Sequence, residues 1–235
     1  MLELHTGTYK SAVTITAPSI VIEPAGDGPV TIDGRCMRPA IETIAVRADG
    51  VTIEGGITVV GGLFYAVKYV NVLSGILDGL TLKNTCQSST FGVELQRTGP
   101  VRITSKTVSG FDGAGIHVGS VTEGSSGPLP LEGNTVIGNA TGILVENSSG
   151  IRILSENVLG NKDAGIEVKG SSLVVIKHVN ARSDGTYAIV LDEGTTQSKV
   201  MGSTAKGSIY DLSNLGTQNC FKRDRFRTFQ GDISC

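Results

Sequence analysis

An all-β solenoid is predicted by three features of this 235-residue chain. The first is a strand written six times: AVKYV at 66–70, GVELQ at 92–96, GIHVG at 115–119, GILVE at 142–146, GIEVK at 165–169 and AIVLD at 188–192. A small residue, an apolar residue, a free position and a second apolar residue return at spacings of 26, 23, 27, 23 and 23 residues. At such a period each repeat forms one coil and buries its apolar face only against the next. The second feature is composition: 32 Gly, 7 Pro and no Trp, with Val and Ile leading the apolar set, which suits short strands joined by tight turns. The third is that no stretch reads as a long helix. The most apolar segment, Ile57 to Leu77, is broken by Lys68 and Asn71 and is rich in Gly, so no membrane span is expected.

Three strands follow one another within a coil, most visibly over 142–161. GILV leads through ENSSG to IRIL, then through SE to NVL, and GN precedes the KDAGIEV of the next coil. Side chains alternate along a strand, so Ile143, Val145, Ile151 and Ile153 point inward and the interior is an aliphatic stack. Coils are expected at 2–38, 39–62, 63–87, 88–111, 112–139, 140–161, 162–184 and 185–207, with an irregular turn from 208. No Pro- or Ser-rich linker interrupts them, so one domain spans 1–235, with coils over 2–216 and a C-terminal cap over 217–235. Met1 runs straight into LELHTGTYKSAVTI, which already reads as strand and turn, so no signal peptide is expected.

The pattern GIxVxxSxGVxIxxNxVxxN resembles the repeat of the right-handed parallel β-helix in the pectin-lyase-like superfamily, most closely the NosD-like group of carbohydrate-binding and sugar-cleaving proteins. The resemblance covers residues 2–216 and implies about eight to nine coils of three short strands. It implies that the strand matching GIHV belongs to the first sheet, whose outer face forms the polysaccharide cleft. It implies an extracellular or periplasmic location, and an internal Asn ladder at the turn after the second strand. Asn134 occupies that turn, but Lys106, Glu156 and Ser203 hold the matching places, so the ladder reads as broken and its stacking energy as mostly absent.

The one variable position of the repeated strand runs Lys68, Glu94, His117, Leu144, Glu167 and Val190. Neighbours in a parallel sheet stand ~4.8 Å apart, so Lys68 is expected to pair with Glu94, and Glu94 to support a protonated His117. A His beside a carboxylate can serve as general acid or base. The two longest loops, KNTCQSSTF (83–91) and GSVTEGSSGPLP (119–130), flank this spot. Lys68, Glu94 and His117 are therefore the candidate catalytic residues, with Arg97, Asp112, Glu123 and Glu167 as candidate ligand contacts. Stacked charges of alternating sign are also what a solvated solenoid exterior would carry. Binding of a polysaccharide or oligosaccharide is thus the leading reading, a lyase or other glycan-acting enzyme centred on Glu94 and His117 the alternative, and a structural scaffold the third.

The chemistry of that alternative is narrow. Glu94 and Glu167, three coils and about 14 Å apart, exceed the carboxyl separation of a glycoside hydrolase. A pair of Glu94 with Asp112 needs the loop to fold back. Adjacent coils offer too few carboxylates for a calcium site, and neither metal nor cofactor is expected. A β-elimination with His117 or Lys68 as base and Arg97 near the acid group fits best. Tyr65, Phe91 and Tyr187, each just before the small residue of the repeat, are expected to form a corner stack inside the coil. His5 and His178 stand alone and read as surface or turn residues.

The net charge of −2 gives no basic footprint for nucleic acid or an anionic membrane. Cys220 and Cys235 bracket the charged tail and are expected to pair, pinning a terminus. Cys36 and Cys86 lie two coils apart, about 10 Å along the axis, and reach one another only if their loops bend. The uncovered N-terminal coil edge is a place for self-association.

Overall fold

The computed structural model describes residues 1–36, 41–86, 89–122, 127–233 and 235. Glu123 lies outside them. Three parallel sheets of ten, nine and ten strands wind into about nine turns, with no helix among the described residues. The repeated strands form the first sheet, where Tyr65–Val70, Phe91–Gln96, Ala114–Gly119, Thr141–Glu146, Ala164–Lys169 and Tyr187–Leu191 lie side by side. Inward positions stack by type. Val67, Val93, Ile116, Ile143, Ile166 and Ile189 form one fully buried column, and each such side chain contributes about 1.5–3 kcal/mol by leaving water. Tyr69 fits a column otherwise aliphatic because Gly75 leaves room, a Cβ there lying 2.7 Å from its ring.

Two expected boundaries shift. The segment 2–38 holds almost two turns, since Leu2–Leu4, Gly7–Tyr9 and Val13–Ile15 are followed by Val21–Pro24 and Val30–Asp33 on the same sheets. Its strands are short and lack the small-apolar signature, so the repeat does not announce them. The tail lends two further strands, Cys220–Lys222 to the second sheet and Phe229–Gly231 to the first, and Cys220 is bonded to Cys235.

Cys36 and Cys86 are also bonded, with Cα atoms 5.4 Å apart. The turn between them is Gly61–Gly62, and a Cβ on Gly61 would fall 2.6 Å from the Arg35 nitrogen. The Cys36 segment therefore sinks onto bare backbone, its N–H donating to the Gly61 carbonyl at 2.6 Å, and this closes most of the axial gap.

Corners repeat as faithfully as strands. The residue leaving the first sheet is left-handed in Asn71, Arg97, Ser120, Asn147 and Gly170, with φ between 49° and 55°. Asn and Gly adopt this conformation at little cost, whereas in Arg it is strained. Arg97→Asn is accordingly expected to raise stability by about 0.5–1 kcal/mol, read as a higher urea midpoint with unchanged slope.

The internal ladder is broken where expected at Lys106, whose side chain offers no acceptor, and also at Val179, but it holds at Glu156 and Ser203. Asn134 Oδ1 accepts the Lys106 N–H at 3.0 Å, and the Glu156 carboxylate accepts both the N–H and the side-chain amide of Asn134 at 2.8 Å. Ser203 Oγ accepts the Val179 N–H and Asp224 that of Ser203. A carboxylate or hydroxyl oxygen thus does what the Asn oxygen does. Shorter ladders fill the other corners: Asn139, Asn161 and Asp184 in one, Ser148 and Ser171 in a second, and Ser198 and Asn219 in a third. These polar residues are buried, so each amide they satisfy avoids an orphan-donor cost of about 1–3 kcal/mol. Burial also shifts their chemistry. It raises Asp184 to about 6 and lowers the Lys106 ammonium to about 7, against the opposing pull of Asp78.

Candidate functional site

The outer face of the first sheet carries three rows. The middle row places Lys68 beside Glu94, Glu94 beside His117, His117 beside Leu144 and Leu144 beside Glu167. Glu94 and His117 meet: Nδ1 lies 2.6 Å from the Glu94 carboxylate, and the two residues are only 4% and 9% exposed. Donation of the Nδ1 proton to Glu94 leaves Nε2 as the nitrogen able to accept or deliver a proton. Nε2 is buried without a hydrogen-bond partner and faces a second carboxylate, Glu146, at 3.7 Å.

Glu146 is the residue that sequence reasoning missed. It stands two positions beyond Leu144, in the outer row that runs Gln96, Gly119, Glu146, Lys169. The signal was the period of two within GILVE. Gly119 in the same row makes the encounter feasible, because a Cβ there would lie 3.4 Å from His117 Nε2 and 3.2 Å from Cε1.

The remaining row holds aromatic rings on the outer face, not inside the coil. Tyr65 and Phe91 stack at 5.7 Å, Phe91 and His117 at 4.9 Å, and Tyr187 and Tyr210 at 5.8 Å. The expected inward stack fails because strand alternation breaks at the corner. Gly92 faces the interior, where a Cβ would meet Val108 and Phe111, and Val93 is fully buried next to it. Two successive inward residues leave Phe91 outside. Lys68, expected to pair with Glu94, instead places Nζ 4.2 Å from the Tyr65 ring centre, a cation–π contact. Burial, with the Glu94 and Glu42 carboxylates, pushes the Tyr65 hydroxyl upward from its ordinary value.

The candidate ligand residues are scattered. Glu167 pairs with Lys169 at 2.9 Å, and that bond holds the Lys169 ammonium above its ordinary value. Asp112 is exposed at the corner before the His117 strand, and its backbone N–H donates to Ser89. Among the described residues no hydrogen bond joins it to Glu94. Arg97 lines a groove of about 370 Å³ with Asn71, Thr98 and Ser120. Asn71 also borders a groove of about 300 Å³ that holds Glu42, Arg47 and Lys68, so the two grooves have this residue in common. No cluster of three or more metal-ligating side chains occurs among the described residues.

The fold is shared with solved structures. The A-module of mannuronan C-5 epimerase AlgE4 from Azotobacter vinelandii aligns with a TM-score of 0.62 at 17% identity over 91% of this chain. The periplasmic alginate epimerase AlgG aligns at 0.62 and 10% over 91%. An alginate lyase from Paenibacillus aligns at 0.58 and 18%, covering 99% of this chain and 91% of the lyase. The chain spans 66% of the AlgE4 module and 68% of AlgG. A search of curated proteins returns no match. Residues 71–222 match the family model described as the right handed beta helix region, and with most of its length inside that match the chain belongs to this family.

Proposed function

We propose that the outer face of the first sheet binds an acidic polysaccharide. The observation that carries this is the outward row of rings, Tyr65 on Phe91 on His117, with the Lys68 ammonium over its edge. The outward edges of the stacked rings form an apolar strip against which the non-polar faces of sugars can pack, and a cation beside them suits a carboxylate on the same unit. The grooves of Lys68 and Arg97, which share Asn71, place further polar side chains beside the row. Solved neighbours in fold, two of them alginate epimerases and one an alginate lyase, agree with this choice of ligand. Two disulfides fit an oxidising compartment, extracellular or periplasmic.

Titration calorimetry against alginate, polygalacturonate and neutral dextran tests the reading. Binding to an acidic polymer is expected, with Phe91→Ala weakening it about fivefold to tenfold. No binding to either acidic polymer, or full affinity in Phe91→Ala, would remove the proposal.

A second reading is favoured by the Glu94–His117 bond. A carboxylate on Nδ1 and an orphaned Nε2 form a base able to take the proton beside a uronate carboxyl while the glycosidic oxygen leaves. An unsaturated uronate product, seen by ultraviolet absorbance and lost in His117→Ala, would establish this elimination. Binding without such a product would leave the first reading alone.

A further inference from the structure

The second sheet carries an unassigned face whose charge changes sign along the solenoid. Its outer row begins with acids: Glu3 pairs with Glu23, and the register of Ile22, Ile53 and Leu77 sets Glu54 and Asp78 next in line. From the strand Ile151–Leu154 onward the face holds no acid. Its outward residues are Arg152, Val175 and Lys199 in one row and Lys177, Met201 and Lys222 in the other. Cations thus alternate with apolar residues in both rows, about 10 Å apart over two ranks of ~4.8 Å.

At the edge of this face a groove of about 300 Å³ is lined by Lys177, His178, Met201, Gly202, Lys222 and Arg223. His178 and Arg223 are left-handed, with φ of 55° and 61°. Gly202 stands between them, and a Cβ there would lie 3.0 Å from the His178 ring, so the ring covers bare backbone on the groove floor. The nearest acid, Asp224, is turned away: its oxygens accept the backbone N–H groups of Ser203 and Lys222. Ion pairs among the described residues join His5 to Asp27, His117 to Glu94 and Glu146, and Lys169 to Glu167, and none draws on these cations.

We propose that this groove and the basic rows beside it form an anion site for a glycan bearing carboxylate or sulfate groups, separate from the His117 face. Donors spaced over two ranks suit repeated charges on a linear chain, and Met201 and Val175 offer apolar contact between them. The rows contain no aromatic side chain on which nucleic acid bases would stack, which favours a glycan. Only the class of ligand is shared with the preceding proposal; the residues are different, and so are the variants that test them.

Calorimetry of the full chain against polygalacturonate and dextran sulfate across rising salt provides the test, with neutral dextran and a single-stranded oligonucleotide as comparisons. Lys177→Glu combined with Lys222→Glu is expected to weaken binding and to lower the slope of log affinity against log salt by about two. Lys83→Glu with Lys206→Glu, an equal charge change at exposed positions of the third sheet, should leave that slope unchanged. Preference for one charged polymer assigns carboxylate or sulfate as the group held. The site would be refuted by absence of binding to both, by an equal loss in the Lys83/Lys206 variant, or by tighter binding of the oligonucleotide. If His117→Ala alone abolished binding, the first-sheet site would stand and this one would fall.

Discussion

Glu156→Asn is expected to remove one large pH-dependent contribution, so that the stability of the parent relative to the variant falls by about 3–5 kcal/mol between pH 5 and 9. Glu156 is 1% exposed, and burial raises its carboxyl from 4.5 to about 8. Both oxygens are engaged by Asn134, at 2.8 Å from its N–H and from its side-chain amide, which opposes the shift without cancelling it. A folded-state value above the unfolded one gives a contribution fully present below about 4.5 and lost as pH climbs through about 8. Asparagine removes the titration and keeps the acceptor. The neighbouring ladder shows the geometry, where Asn161 Oδ1 takes both the N–H and the side-chain amide of Asn139 at 3.0 and 3.1 Å. Lys106 titrates in the opposite sense, but it is common to both proteins and drops out of their difference. Urea unfolding at three pH values checks this, and parallel pH curves for the two chains would refute it.

Replacing Cys36 and Cys86 together by serine is expected to cost about 4 kcal/mol, since the bridge closes a 50-residue span. The loss should fall on function as well. Cys86 stands in the loop that leads into Phe91, and its N–H is fixed by the Asn84 side chain at 2.8 Å. Freed from Cys36, that loop no longer holds the start of the aromatic row, so glycan affinity should fall together with the melting temperature. Removing the shorter Cys220–Cys235 bridge, 15 residues apart, should cost about 3 kcal/mol and leave glycan affinity on the first sheet intact. Calorimetric melting and glycan titration on both double variants separate the two cases.

Much of this architecture is visible in the residues themselves. The six repeated strands set the register, and the neighbours Lys68, Glu94 and His117 follow from counting alone because a parallel sheet stacks equivalent positions. What escapes such counting lies at the corners. Phe91 faces outward because Gly92 and Val93 both turn inward, a break in alternation with no marker in the pattern. Glu156 and Ser203 look like departures from an Asn ladder when residue type is read, yet they meet the same geometric demand, one oxygen aimed at the amide of the coil before. The Cys36–Cys86 bridge hides for a related reason, since only the bareness of Gly61 and Gly62 brings the two loops together.

The corner ladders also give the molecule a direction. In each of them the oxygen comes from the later coil and the amide from the earlier one: Asn161 serves Asn139, Asp184 serves Asn161, and Ser171 serves Ser148. From Lys106 onward each turn that carries such a bond is therefore finished by its successor, roughly one repeat downstream. A chain emerging from the ribosome would leave the latest of these turns unsealed until the next coil supplies its oxygen.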